Sequence, residues 1–459
     1  MPALLVPATD PSAAGALPIL VVAPEDWRDR AAALAPSAVP FAEAQGFSAS
    51  AGQVQLLPAP DGTLAGALLG RGADPMLPGK LPGALPAGAY RLEGAADPAL
   101  GALAFLLGAY RFERYRSGPP PRTHRLVAPE GVDVVEVQRL AAAVGFGRDL
   151  VNTPANDLGP PELEQSARDL AARCGATIKV TAGDDLLAQN FPMVHAVGRA
   201  SARAPRLVDL AWGDPSHPKV TLVGKGVCFD TGGLNLKPES GMLLMKKDMG
   251  GAAVALTVSR LVMEAGLKVR LRVLVPAVEN SVSGDAFRPG DVLRSRKGLT
   301  VEIGNTDAEG RLILADALAL ADEEAPDLLL DFATLTGAAR VALGPDLPPF
   351  YTDDEGLAQE IAAKGAAVAD PVWRMPLWRP YASLLDSKFA DVNHISGGPF
   401  AGSVTAALFL GRFVEKARSW AHFDIFAWVP SEKPGRPFGG EPQAARLVYA
   451  LLAERYGRA

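Results

Sequence analysis

The segment Asn305-Thr306-Asp307-Ala308-Glu309-Gly310-Arg311-Leu312 alternates two carboxylates and a guanidinium. It follows an apolar run containing Val301 and Ile303 and precedes one of helical spacing, so it reads as a strand-to-helix turn. Acids two residues apart on such a turn suit a hard divalent cation, and an arginine two further on suits an anion. An ordinary helix cap would draw on the same residue types, with Asp or Thr at the N-cap and Glu in the first turn. A second cluster runs from Lys225 through Asp230 to Lys237, on a glycine-rich loop at the end of an apolar strand. Glycines there allow close backbone approach to a ligand. A third, Lys246-Lys247-Asp248-Met249-Gly250-Gly251, puts an acid at the mouth of a long helix, where interaction with the helix dipole is the plainer role. If Asp230, Asp248, Asp307 and Glu309 meet, their mutual repulsion and lost hydration are costly. Divalent cations remove that cost, and bridging carboxylates serve two ions at once.

The elements that must position these residues follow a βα rhythm beyond residue 160. The pattern predicts a helix over 161–174 and strands over 177–181, 206–211 and 219–224. A long helix over 250–266 comes next, then strands over 269–275, 300–303, 328–332 and 421–426. Runs such as Val220-Thr221-Leu222-Val223 and Leu328–Leu330 are apolar on both faces, as a sheet covered on both sides requires. The first 120 residues also alternate short apolar strands, such as 19–22 and 54–57, with Ala-rich helical stretches. The breaker cluster Ser117–Arg122 is the best linker candidate, and Val134–Val151 has helical spacing up to a proline stop at Pro154. The expected fold is α/β: a smaller N-terminal domain over 1–125, a connecting helix over 126–155, and a larger domain over 156–459. The larger domain should carry a mostly parallel central sheet, with the chemistry at strand carboxyl ends.

The chain has 459 residues, with 51 acidic against 45 basic and a net charge of −6. That balance argues against nucleic-acid binding, which needs a basic surface. Cys174 and Cys228 form no CxxC pair and no disulfide framework, which fits a reducing compartment. The start Met1–Pro7 lacks a basic n-region, and no apolar run approaches the roughly 20 residues of a membrane helix. A soluble, cytoplasmic protein is expected.

The clusters resemble the signatures of the leucyl aminopeptidase family, the dinuclear metallo-aminopeptidases of the cytosolic type. Asn305–Leu312 matches that family's NTDAEGRL octapeptide throughout, and Lys225, Asp230, Lys237 and Asp248 keep the spacing of its VGKGxxFDxGGxxxK and DMGG signatures. Asp331–Ala338 resembles its DxATLTGA turn and Trp420–Ile425 its WAHxDI strand. The resemblance spans roughly residues 145 to 430. It implies a macro-like N-terminal domain and hydrolysis of the N-terminal residue from peptides or dipeptides. It implies two divalent ions, Zn²⁺ or Mn²⁺ with Co²⁺ or Mg²⁺ as alternatives. Asp230 and Glu309 would bridge them, Asp307 would complete one site, and Asp248 with a neutral Lys225 would complete the other. Lys237 would polarise the scissile carbonyl, and Arg311 would hold a bicarbonate ion as general base for the water. Met245, Asn305, Thr334, Leu335 and Gly337 would contact substrate. The resemblance further implies a homohexamer.

Three segments depart from the family pattern, the tail Arg436–Pro442 among them. Where it continues with small residues after the WAHxDI strand, this chain reads Ile425-Phe426-Ala427-Trp428-Val429-Pro430, so bulk at Phe426 or Trp428 should reshape the specificity pocket. A preference for leucine therefore does not follow. The stretch 388–404 fits in part. Asp230-Thr231-Gly232 spells the aspartic-protease triplet, but that chemistry needs a second copy and none occurs. His422 and Cys228 read as core residues.

Overall fold

The computed structural model describes residues 3–457, which divide into two compact units. The first runs up to Gly145 and takes in Val429–Phe438; the second holds Phe146–Trp428 and the chain from Gly439.

The first unit is built on six strands: β1 (Ala3–Val6), β2 (Leu17–Val22), β3 (Val54–Pro58), β4 (Leu64–Gly70), β5 (Gly88–Glu93) and β6 (His124–Val127), in the order β1-β6-β5-β2-β4-β3. All pairs are parallel except the β3–β4 edge hairpin. The boundary expected at residue 125 is corrected. It would cut through β6, which is hydrogen-bonded on both sides, to β1 and to β5. Ser117–Arg122 is thus a loop inside this unit, entering a central strand, rather than a linker. The helix Val134–Asn152 is continuous across the division, so 126–155 is no separate connector, and the return of 429–438 had no local signal.

The second unit holds β7 (Thr177–Ala182), β8 (Arg206–Trp212), β9 (Lys219–Gly224), β10 (Gly226–Asp230), β11 (Arg270–Asn280), β12 (Val292–Arg294), β13 (Thr300–Glu302), β14 (Leu328–Ala333), β15 (Pro349–Tyr351), β16 (Trp373–Arg374), β17 (Val392–Asn393) and β18 (Trp420–Asp424). The main sheet runs β16-β15-β18-β14-β9-β11-β8-β7, with β10 added beside β11, and β12-β13-β17 make a small side sheet. Its centre, β18-β14-β9-β11, is parallel, and the antiparallel pairs lie toward the edges. Every residue of β14 is buried, and the helices Gly250–Ala265 and Glu309–Asp322 both pack on β14 and β9. An all-apolar strand pattern is explained by that double cover. The helix and strand expectations hold to within a few residues, with β11 extending well past its expected end to Asn280. Among the described residues no helix is long and apolar enough to cross a membrane.

Candidate active site

The charged loops converge because their strands are neighbours. Lys225 leaves β9, Asp230 ends β10, Asn280 ends β11, Thr334 leaves β14 and Asp424 ends β18, all at the carboxyl ends of parallel strands. The helix Gly250–Ala265 can press onto this edge because Gly251 has no side chain: a Cβ there would lie 2.0 Å from the Phe332 carbonyl oxygen. Gly310 plays a related part, since a Cβ on it would meet Lys225 Nζ at 2.7 Å. Thr306 ties the two acidic loops together, its hydroxyl donating to the Gly232 carbonyl (2.7 Å) and accepting from Asn235 N (2.8 Å).

Carboxylate oxygens of Asp230, Asp307 and Glu309 lie within 4.8 Å of one another. Lys237 Nζ sits 2.8 Å from Asp230 Oδ2 and also pairs with Asp307. Lys225 Nζ bridges Asp248 Oδ2 (2.8 Å) and Glu309 Oε1 (3.0 Å) and donates to the Thr334 carbonyl (2.9 Å). Asp248 lies outside the carboxylate trio and is held by Thr334 Oγ1, which donates to its Oδ1 at 2.8 Å. Glu309 Oε2 is buried with no hydrogen-bond partner. Four carboxylates against two ammonium groups leave negative charge in excess, and burial amplifies it. Burial, with the charges of Glu309 and Asp248, drives the Asp230 carboxyl well above its ordinary range. Burial likewise raises Asp248 and Asp307. Burial opposes charge on Glu309 too, but Lys225 and Lys237 outweigh it and hold Glu309 low. Burial pulls Lys225 down, and Asp248, Glu309 and Asp230 more than reverse it. A neutral Lys225 therefore requires a bound cation to displace its proton.

Arg311 is buried and donates from Nη1 to the His394 carbonyl (2.7 Å), while its Nε has no hydrogen-bond partner. A planar guanidinium edge with a free donor fits a small oxyanion. His394 supports the turn, with Nε2 2.9 Å from the Asn305 carbonyl oxygen and Nδ1 accepting from Gly304 N. Burial and the Arg311 charge push this imidazole down to about 3, so it stays neutral.

A cavity of about 270 Å³ opens on the cluster. Lys225, Asp230, Lys237, Asp248 and Asp307 line one end, and Met245, Thr334, Leu335 and Gly337 also line it. Glu309 and Arg311 lie buried behind that wall rather than on it. Asn305 does not line the cavity, and its Oδ1 accepts from Asp307 N at 2.8 Å, capping the turn that carries the acids. Phe426 does reach the cavity, whereas Trp428 is buried outside it.

The residue sequence reasoning overlooked is Asp424, buried at the end of β18. It accepts from Leu335 N (3.1 Å), Thr336 N (3.2 Å), Thr336 Oγ1 (2.5 Å) and Ser403 Oγ (3.0 Å), and pairs with Arg340. It thereby holds the 334–337 wall, and the Leu335 N–H is unavailable to substrate. Asp424 lay within the strand motif Trp420–Ile425, but nothing in its spacing announces five partners. Lys247, on the cavity wall, was also passed over, as one of two adjacent lysines. His422 and Cys228 are core residues as read: His422 Nδ1 lies 2.6 Å from Asp331 Oδ1, and burial raises the Cys228 thiol.

Two family models cover most of the chain, the cytosol aminopeptidase family catalytic domain over residues 145–449 and the M17 aminopeptidase N-terminal domain over 17–129. The chain belongs to the cytosol aminopeptidase family. It is a metal-dependent aminopeptidase, a hydrolase. It is 39% identical over 366 residues to a probable cytosol aminopeptidase of Roseiflexus castenholzii, covering 76% of this chain and 75% of that one. The crystal structure of cytosol aminopeptidase from Coxiella burnetii superposes with a TM-score of 0.92 at 44% identity, over 98% of this chain and 99% of that one. The bottromycin maturation enzyme BotP, solved in complex with Mn, gives a TM-score of 0.86 at 34% identity over 96% of this chain and 99% of that one.

Proposed function

We propose that this aminopeptidase removes the N-terminal residue from peptides or dipeptides with two divalent cations at the acidic end of the cavity. The observation that carries the reading is the carboxylate trio Asp230, Asp307 and Glu309, within 4.8 Å, with Glu309 Oε2 buried and unpartnered. Hard oxygen donors in negative excess fit divalent cations. Asp230 and Glu309 would hold both ions, Asp307 would complete one site, and Lys225 with Asp248 the other. When bound, the ions supply a Lewis acid for the carbonyl and acidify a water. Lys237 stays charged: burial opposes this, but Asp230 and Asp307 outweigh it. Its ammonium, on the cavity wall, would then stabilise negative charge developing on the carbonyl oxygen. Arg311, through its free Nε, would hold bicarbonate as the proton acceptor. Manganese and zinc are the first ions to test, and BotP was solved with Mn. The same reading takes the chain to be a cytoplasmic homohexamer.

The test is hydrolysis of aminoacyl anilides. Activity should vanish in excess chelator and return with Mn²⁺, Zn²⁺ or Co²⁺. It should be lost in Asp307→Ala and Glu309→Ala, and in Arg311→Ala it should be partly restored by added bicarbonate. Full activity in excess chelator overturns the two-cation reading.

A further inference from the structure

The wall of the cavity carries a charge that the chemistry does not use. Lys247 is only 5% exposed and lines the cavity, and among the described residues its side-chain ammonium has no hydrogen bond and no ion pair. Its one close partner is the ring of Phe426, with Nζ 4.8 Å from the ring centroid. A desolvated ammonium on an aromatic face gains less than the loss of its hydration costs. The nearby carboxylates are already engaged. Asp248 is held by Lys225 and Thr334, and Asp424 by Arg340, Thr336 and Ser403. Arg340, the other cation on this wall, spends its charge on Asp424, and its centre lies 5.8 Å from the same Phe426 ring. One buried ammonium is thus left facing the space where a substrate's first side chain would lie.

We propose that this part of the cavity wall selects peptides whose N-terminal residue is acidic, its side-chain carboxylate pairing with Lys247, which shares the wall with Met245 and Phe426. The inference rests on the aminopeptidase reading above and names the substrate class of that site. Phe426 contributes twice. It closes the pocket against long branched side chains, and its ring face fixes the lysine's reach. The cavity of about 270 Å³ adjoins the acidic cluster, so the first side chain of a peptide whose amino end lies on that cluster is the nearest source of a partner.

The discriminating pair is glutamate against glutamine, equal in shape and different in charge. With Mn²⁺-loaded full-length protein, kcat/KM for L-Glu-p-nitroanilide should exceed that for L-Gln-p-nitroanilide by about tenfold or more, as a charge-assisted hydrogen bond implies. Lys247→Met should bring that ratio to about one, and Lys247→Arg should retain it. Neither result follows from general damage, because both substrates meet the same variant. As a readout independent of turnover, free L-glutamate should raise the thermal midpoint more than L-glutamine in the native protein and not in Lys247→Met. A Glu:Gln ratio at or below one, or one that Lys247→Met leaves in place, overturns the inference while L-Leu-p-nitroanilide hydrolysis upholds the aminopeptidase reading. Hydrolysis of none of the anilides with any of the metals overturns that reading, and the glutamate shift then decides the pocket alone.

Discussion

Two buried carboxylates at the same sheet edge, Asp230 at the end of β10 and Asp424 at the end of β18, live in opposite circumstances. Asp424 has a donor for each lone pair that matters and the Arg340 guanidinium beside it; burial opposes its charge, but Arg340 and the hydroxyl and amide donors hold its carboxyl below the ordinary range. Asp230 is as deeply buried and receives Gly232 N and Asn280 Nδ2, both at 2.8 Å. Yet Glu309 and Asp248 stand beside it, and it is driven the other way. The difference is one of neighbours rather than depth. Where donors match acids, a buried charge organises structure; where acids outnumber donors, the site is left to be completed by a ligand.

The sharpest way to break that contrast is to neutralise both positions without changing their shape. Asp230→Asn should cut kcat/KM by more than the ~100-fold upper range for outer-shell metal partners, because it removes a bridging ligand. In the metal-free protein the same change should raise the unfolding midpoint in urea, since it relieves repulsion. A midpoint that falls instead would show the cluster to be satisfied without metal. Asp424→Asn should do the reverse in stability, costing about 3–5 kcal/mol, because it leaves the Arg340 charge buried and unpaired. In activity it should act mainly through KM, as the 334–337 wall loosens; steady-state kinetics beside urea unfolding separate the two effects. The smallest effect belongs to His394, which tests whether the turn behind the acids behaves like the satisfied region. Its folded pKa of about 3 lies below the ordinary 6.5, so the unfolded chain binds the extra proton first. Its contribution is therefore full above pH 6.5 and falls as pH drops toward 3, with a slope of at most about 1.4 kcal/mol per pH unit. Urea midpoints between pH 7 and 4 should decline less steeply in His394→Gln than in the native protein. Equal slopes would remove His394 from the account.

Legibility differed between these regions for a physical reason. The acidic ligands sit on glycine-rich turns whose residues are close in sequence, so Asp307, Glu309 and Arg311 announced themselves by spacing. The central strands were equally plain, since double burial leaves an all-apolar run such as Leu328–Leu330. Asp424 was not, because its partners come from 335–340 and from Ser403, and only β18 lying beside β14 brings them together. Asn305 lies inside the motif and takes a local role as well, its Oδ1 capping the turn at Asp307 N. The domain boundary failed where a loop rich in proline turned out to enter a central strand of the first sheet.

By itself, then, the sequence determined the family, the α/β class and the identities of the groups at the acidic end, because short-range spacing encodes turns and ligand sets. The tertiary structure alone decided which charges find partners. It lodged Glu309 Oε2 without a donor, gave Asp424 its full set, and left the Lys247 ammonium facing an open cavity. Satisfaction of a buried charge is a property of neighbours far apart in the chain, and no local pattern carries it.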